Sequence, residues 1–286
     1  MGTLSIGAIL VRRIVELEGP FLDPTEICAE ATPENLAPHM DWLSPRALCP
    51  DTGKLIFSFH SWLVQSTRHT ILIDTCVGCD KTVEWHAPWH QRQDRAWLSR
   101  LAMEGVQPEQ VDYVFCTHLH LDHTGWNTRL LDGRWVPTFP NAKYIMARDD
   151  YEDSQINDNL VYRENILPVM EAGQGVLVDT DFQLDDEIWL ESTPGHTKGH
   201  VAVHLASQGH HAVLCGDLMH TPVQCAHPEW SAVFDWDLEM ARTTRRRFLE
   251  NRCADGQLVL TAHFPTPSLG YIEAKDDTFR FRYRGE

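Results

Sequence analysis

The stretch Cys116-Thr-His118-Leu-His120-Leu-Asp122-His123-Thr-Gly125-Trp126 limits this chain's options more than any other segment. It follows the β-branched run Val111–Thr117, which reads as a strand, so three imidazoles and a carboxylate leave one strand end together. His118 and His120 stand two apart and share a side; Asp122 and His123 come after the chain turns and aim at a neighbouring point. Such a set can serve two metal ions a few ångströms apart, the arrangement that a bridging hydroxide requires. Chance places an H-x-H-x-D-H string in a chain of this composition with a probability on the order of 0.004, so a surface cluster is the weaker reading.

The charge balance narrows the partners. Among 286 residues, 24 Lys and Arg face 41 Asp and Glu for a net charge of −17, and 16 are His. That charge repels phosphate backbones and anionic membranes, which argues against nucleic acid or membrane partners and leaves a small molecule. Leu4–Val11 is too short for a membrane span, and Arg12 and Arg13 lie on its wrong side for a secretory signal. The eight cysteines sit mostly in apolar, strand-like contexts, as reduced thiols do, so a cytoplasmic location is expected. Cys76-Val77-Gly78-Cys79 has CxxC spacing, but no second CxxC completes a zinc knuckle. Gly78 and Asp80 predict a turn where a redox pair would open a helix, so the motif is expected to be structural.

Short runs bounded by Gly, Pro, Asp or Asn predict strands in both halves: Leu4–Val11, Leu55–Gln65, Thr70–Asp74, Val111–Thr117 and Lys143–Met146, then Gly175–Val178, Glu187–Glu191, His200–Leu205, His211–Cys215 and Gln257–Thr261. Helical periodicity marks Asp94–Met103, Arg148–Ala172 and Asp237–Cys253, the last with Asp237 as N-cap. Arg245-Arg246-Arg247 on that helix is expected to be a solvated face. Two sheets packed face to face with helices outside is the arrangement this pattern predicts. The Pro-rich stretch Gly19–Pro50 and the loop Gly78–Gln91 are long enough to cover a pocket, and the former also suits an arm reaching a homodimer partner.

The motif around His118 resembles the signature of the metallo-β-lactamase superfamily. The resemblance continues in order through Thr193-Pro-Gly-His196-Thr-Lys-Gly-His200, Cys215-Gly-Asp217 and Thr261-Ala-His263-Phe264, and Ile71-Leu-Ile-Asp74-Thr75 is similar to that fold's opening. It implies an α/β fold, a four-layer αββα sandwich, as a single domain over residues 1–286 with the irregular segment at 19–50 and a helical insertion at 148–172. It further implies that His118, His120 and His196 hold one metal, that Asp122, His123 and His263 hold a second, and that Asp217 bridges them. Imidazoles with carboxylates suit borderline divalent metals: zinc first, then iron, manganese or cobalt. Asp122 would orient the hydroxide or shuttle its proton, Asp74 would orient a ligand from behind, and His200 would be structural. His220, three residues after Asp217, would reach the site mouth as an oxyanion donor or leaving-group acid.

Within that superfamily, Asp217-Leu-Met-His220-Thr-Pro-Val-Gln224 and Gly125-Trp126-Asn127-Thr128 are similar to the lactonase and organophosphate-hydrolase branch. The implied reaction is hydrolysis of a small ester-like substrate, a lactone first, with phosphotriesters and thioesters as alternatives. A mononuclear iron sulfur dioxygenase is a further alternative, separated by metal stoichiometry; a diiron flavoprotein would carry Glu where His120 stands. A lactonase resemblance also implies a tyrosine near the metals, for which the sequence offers no clear position. Trp85, Trp89, Trp126 and Tyr151 are the expected pocket walls.

Overall fold

The computed structural model describes residues 2–286. Two compact units divide the chain: the residues up to Glu16 with Phe59–Phe182, and Leu17–Ser58 with Gln183–Glu286. The strands in chain order are β1 (Leu4–Ile6), β2 (Ile9–Pro20), β3 (Ile56–Gln65), β4 (Thr70–Ile73), β5 (Tyr113–Phe115), β6 (Thr128–Leu131), β7 (Arg134–Pro137), β8 (Lys143–Ala147) and β9 (Gly175–Val178), followed by β10 (Ile188–Ser192), β11 (Val201–Ser207), β12 (His210–Leu214), β13 (Leu258–Leu260), β14 (Leu269–Lys275) and β15 (Thr278–Tyr283).

The first unit is organised by a seven-stranded sheet in the order β1-β2-β3-β4-β5-β8-β9. β4, β5, β8 and β9 run parallel, and their short apolar sequences (TILI, YVF, KYIMA, GVLV) are what strands covered on both faces need. Helix α1 (Ala96–Met103) lies between β4 and β5 in the chain, and its Trp97 and Leu101 enter a core with Trp126, Phe139 and Tyr144. The expected strand Leu4–Val11 is in fact a hairpin. Gly7, at φ 56°, supplies the left-handed first position of a two-residue turn that breaks the run. The sequence reading missed the β6–β7 hairpin, which turns on Asp132-Gly133 with both residues at positive φ. The expected helix over 148–172 is present but interrupted: Arg148–Asn157 (α3) ends with Asp158 at φ 41°, and helical structure resumes over Tyr162–Ile166 and Leu167–Glu171. A short α2 (Leu121–Thr124) precedes it.

The second unit carries a six-stranded sheet, β10 to β15 in sequence order, with only the β12–β13 pair parallel. Between β12 and β13 comes α4 (Leu238–Asp255), whose N-cap Asp237 accepts from the Met240 amide at 3.0 Å and whose end is marked by Gly256 at φ 62°. Its Phe248 and Leu249 pack into a core with Val213, Val259, Ile272 and Phe281. The expectation of a solvated arginine face fails at Arg245, which is 1% exposed. Arg246 and Arg247 are exposed as expected. In α4 the residues that share a face recur at three and four, so adjacent arginines point in different directions.

Candidate metal centre

In the first unit the site geometry begins one residue beyond β4. Asp74 takes a left-handed conformation (φ 57°), a position an aspartate tolerates better than a β-branched residue, and its amide donates to Phe115 O at 2.9 Å across the β4–β5 pair. The buried carboxylate then collects the opposite strand end. It accepts from the Thr117 amide (2.8 Å), the Thr117 hydroxyl (2.8 Å) and His123 Nδ1 (2.8 Å). Because the Thr117 hydroxyl spends its proton on Asp74, its oxygen accepts from His118 Nδ1 at 3.1 Å. In the neutral form both imidazoles therefore carry their proton on Nδ1, and both Nε2 atoms keep a lone pair.

Asp122 and His123 lie on α2, with His123 Nε2 3.7 Å from Asp122 Oδ2. The ring centroids of His120 and His123 lie 4.6 and 4.0 Å from that of His118, so the four residues of the motif form one group as the spacing predicts. A close approach behind α2 holds the motif there. A Cβ on Gly125 would sit 1.9 Å from Val77 O, and the Gly125 amide donates to Cys76 O at 2.7 Å. The CxxC loop is thus a structural seat. Its thiols are directed apart, Cys76 to the Ser61 hydroxyl (3.4 Å) and Cys79 to Asp94 O (2.9 Å), and burial pushes both thiols above their usual range.

The second unit repeats the logic. His196 donates from Nδ1 to Asp235 Oδ1 at 2.8 Å, and the Ser58 carbonyl faces His263 Nδ1 at 3.3 Å. Their Nε2 atoms point instead at Asp217, 3.6 Å from Oδ2 for His196 and 3.1 Å from either oxygen for His263. His220 Nε2 approaches the same carboxylate at 3.3 Å, and its two ring nitrogens, buried, make no hydrogen bond among the described residues. Candidate ligand atoms of His196, Asp217 and His220 all lie within 4.8 Å of one another.

His200 is excluded from ligation, as expected. Its Nε2 accepts from the Asp217 amide (2.9 Å) and its Nδ1 donates to the Thr193 hydroxyl (2.8 Å), so both nitrogens are used in bracing the loop that carries Asp217. His204 pairs with Glu191 at 2.7 Å. Gly195 lets the His196 loop close on α4: at φ 135°, a Cβ there would meet the Ala241 backbone at 2.4 Å.

These donors fit a divalent cation. Neutral imidazole lone pairs converging on a carboxylate repel it, and a cation between them turns that repulsion into ligation. The residue that the sequence reading missed is Asp235, which nothing in a local motif marks. Of the expected aromatic walls, Trp126 is instead core, stacked on Trp97 at 5.6 Å with its indole N–H on Glu16, and Trp89 is buried edge-on against Phe59. Trp85 is 70% exposed. Two other aromatic rings meet the donors: Phe234, 4.9 Å from the His220 ring and 5.8 Å from that of His196, and Phe57, stacked on the His263 ring at 5.3 Å.

A parallel-stranded α/β unit carries the H-x-H-x-D-H string, and a second unit bears three further histidines around an aspartate. A sequence model of the metallo-beta-lactamase superfamily matches residues 59–252, and the chain belongs to that superfamily. It is 28% identical over 159 residues to an N-acyl homoserine lactonase of Bacillus sp, covering 55% of this chain and 58% of the relative. With another from Bacillus cereus it shares 29% over 127 residues, 44% of this chain and 45% of the relative. The chain thus spans about half the length of these curated relatives. Among solved structures, AidC, a dizinc quorum-quenching lactonase in complex with a product, superposes with a TM-score of 0.81 at 18% identity over 100% of this chain and 97% of that one. The hydrolase AbOPH gives 0.78 at 24% identity over 98% and 96%. These likenesses show the metallo-β-lactamase fold. No described helix is long and apolar enough to cross a membrane.

Proposed function

We propose that this protein is a dinuclear metallohydrolase that opens a lactone ring, residues 1–286 acting as one catalytic domain. The observation that carries the reading is the shared tautomer of four imidazoles. Each of His118, His123, His196 and His263 faces a fixed acceptor with Nδ1, which leaves Nε2 for a metal. With His120, Asp122 and the bridging Asp217 they make the seven-residue ligand set, His118, His120 and His196 for one ion and Asp122, His123 and His263 for the other. Zinc is the first candidate, in keeping with the dizinc description of AidC, followed by iron, manganese or cobalt. A bound pair would supply a bridging hydroxide near neutral pH and polarise the attacked carbonyl.

The chain's own groups do the rest. Asp122, partly exposed where its neighbour His123 is buried, is placed to accept a proton and hand it on. His220 takes the oxyanion or leaving-group role, and Phe234 gives an apolar substrate group a surface beside it. Eight free thiols suit a reducing, cytoplasmic setting.

The test is a panel of an N-acyl homoserine lactone, an activated ester, a thioester and a phosphotriester offered to the metal-loaded protein. Lactone turnover is expected to lead, and preference for the phosphotriester or thioester would replace the substrate reading. His120→Ala and Asp217→Ala should abolish metal-dependent turnover; unchanged activity in either sinks the ligand assignment. His220→Ala should slow turnover with both metals retained, whereas lost metal would make His220 a ligand.

A further inference from the structure

The segment joining the short helix Val223–Ala226 to α4 does more than connect them. Asp235 lies on it, 18 residues after Asp217, with a side chain that is 0% exposed. One carboxylate oxygen takes the proton of His196 Nδ1 at 2.8 Å. The other accepts from the Ala232 amide at 2.9 Å and faces the Arg245 guanidinium at 3.4 Å. Arg245 is itself buried on α4 and donates to Leu218 O (2.8 Å), Pro228 O (2.8 Å) and Trp230 O (2.7 Å). The next two amides, of Trp236 and Asp237, donate to His196 O and Gly195 O at 3.0 Å each, which clamps the segment to the histidine it serves.

A buried carboxylate is costly unless something compensates its charge. Here the compensation is a buried arginine that also fixes the carbonyl next to Asp217. The arrangement resists rotation of the His196 ring, because a turned ring would leave Asp235 Oδ1 without its donor.

We infer that Asp235 is the positioning residue of His196 and that it controls retention of one metal ion of the pair, the ion His196 helps to hold, while Asp74 serves His123 in the same way and reaches His118 through the Thr117 hydroxyl. The inference rests on the dinuclear reading above. A carboxylate donating its charge through a histidine raises the basicity of the ligating nitrogen and fixes its aim, and loss of such a partner weakens a metal site roughly 10- to 100-fold.

The experiment is chelator competition on the zinc-loaded full chain, with the metal-to-protein ratio measured after dialysis and the visible spectrum of the cobalt-substituted protein as a second readout. Wild type should bind two equivalents, and His196→Ala should lose one of them. Asp235→Asn, which keeps an acceptor oxygen but removes the charge, should weaken one equivalent roughly 10-fold or more and leave the other in place. Asp235→Ala should weaken it further, and the cobalt spectrum should change in both variants. Circular dichroism of Asp235→Asn establishes that the fold is kept. Wild-type isotherms for both Asp235 variants, or equal weakening of both equivalents, overturn the inference. Should His196→Ala retain both metals, it is the ligand assignment that fails, which separates the two claims.

Discussion

Gly125→Ala is the substitution that most directly probes how the H-x-H-x-D-H turn is held. An alanine Cβ would lie 1.9 Å from Val77 O, 2.0 Å from Val77 C and 2.6 Å from Cys76 O. Ordinary contact begins at 3.4 Å, so the nearest backbone atom would have to retreat by 3.4 − 1.9 = 1.5 Å. No side-chain rotation relieves it, because the obstacles are peptide atoms held by the Gly125 amide on Cys76 O (2.7 Å) and the Trp126 amide on Thr75 O (2.9 Å). Overpacking that side chains can absorb costs about 1–3 kcal/mol, and parting a buried backbone bond adds about 1 kcal/mol, so a loss of about 3 kcal/mol is expected. At roughly 2–4 °C per kcal/mol for a chain of this order, the melting midpoint should fall by about 6–12 °C. Gly19→Ala is the control, since a Cβ there meets nothing within 4 Å. Thermal melts by circular dichroism compare the two. A Gly125→Ala protein that melts with Gly19→Ala would refute the claim that this close approach seats the motif.

Three further outcomes follow from buried charge and thiol chemistry. Lys81 is 1% exposed, its Nζ bonded to the Thr128 hydroxyl and lying over the Trp135 ring, and burial pulls its pKa down from 10.5 to about 7. Between those values the unfolded chain binds the extra proton, so stability from this group rises with pH across that window and the penalty is full below it. Lys81→Met should therefore be more stable than wild type at neutral pH, with the two urea-unfolding curves converging as pH rises toward 10.5; a constant gap would count against it. Arg92 pairs with the fully buried Glu16 at 2.8 Å, so Arg92→Met should cost about 3–5 kcal/mol and adding Glu16→Gln should restore much of it, an expectation that fails if the single and double variants unfold alike. Cys49, whose thiolate is favoured by hydrogen bonds from Thr52 and which is half-buried, should alkylate before any other cysteine in native protein, as peptide mapping would reveal; first labelling at Cys76 or Cys116 would contradict the burial of those thiols.

What could be read from the chain and what could not divide along sequence distance. His118, His120, Asp122 and His123 were legible because one strand end and one turn deliver all four, and the strand ends at Phe115, two residues earlier than the composition predicts. β9 was read to the residue because Gly175 and the following turn bound it. The hairpin at Asp132-Gly133 carries a readable dipeptide signal that the strands predicted from sequence above leave out. Arg245 was misread because three adjacent arginines look alike in sequence, while helical geometry buries only the one that turns toward Leu218 O and Asp235.

The two orienting carboxylates show why the remainder was hidden. Asp74 could be named from the sequence since it ends a strand paired in register with the motif strand, so its neighbourhood follows from sheet geometry alone. Asp235 occupies an irregular segment whose path is set by backbone bonds to Gly195, His196 and Ile27, none of them periodic in sequence. Its identity as a partner to His196 is therefore a product of tertiary packing. The physical demand was nevertheless predictable: a neutral imidazole that presents Nε2 to a metal needs an acceptor for Nδ1–H, so each ligand histidine implies a partner before its position is known. By that rule, on the proposed ligand assignment, His263 faces the uncharged Ser58 carbonyl at 3.3 Å where His196 and His123 face carboxylates, and should be a less basic ligand than either. Of the two proposed ions, the one that His263 would help to hold is then expected to exchange first under a chelator in wild-type protein.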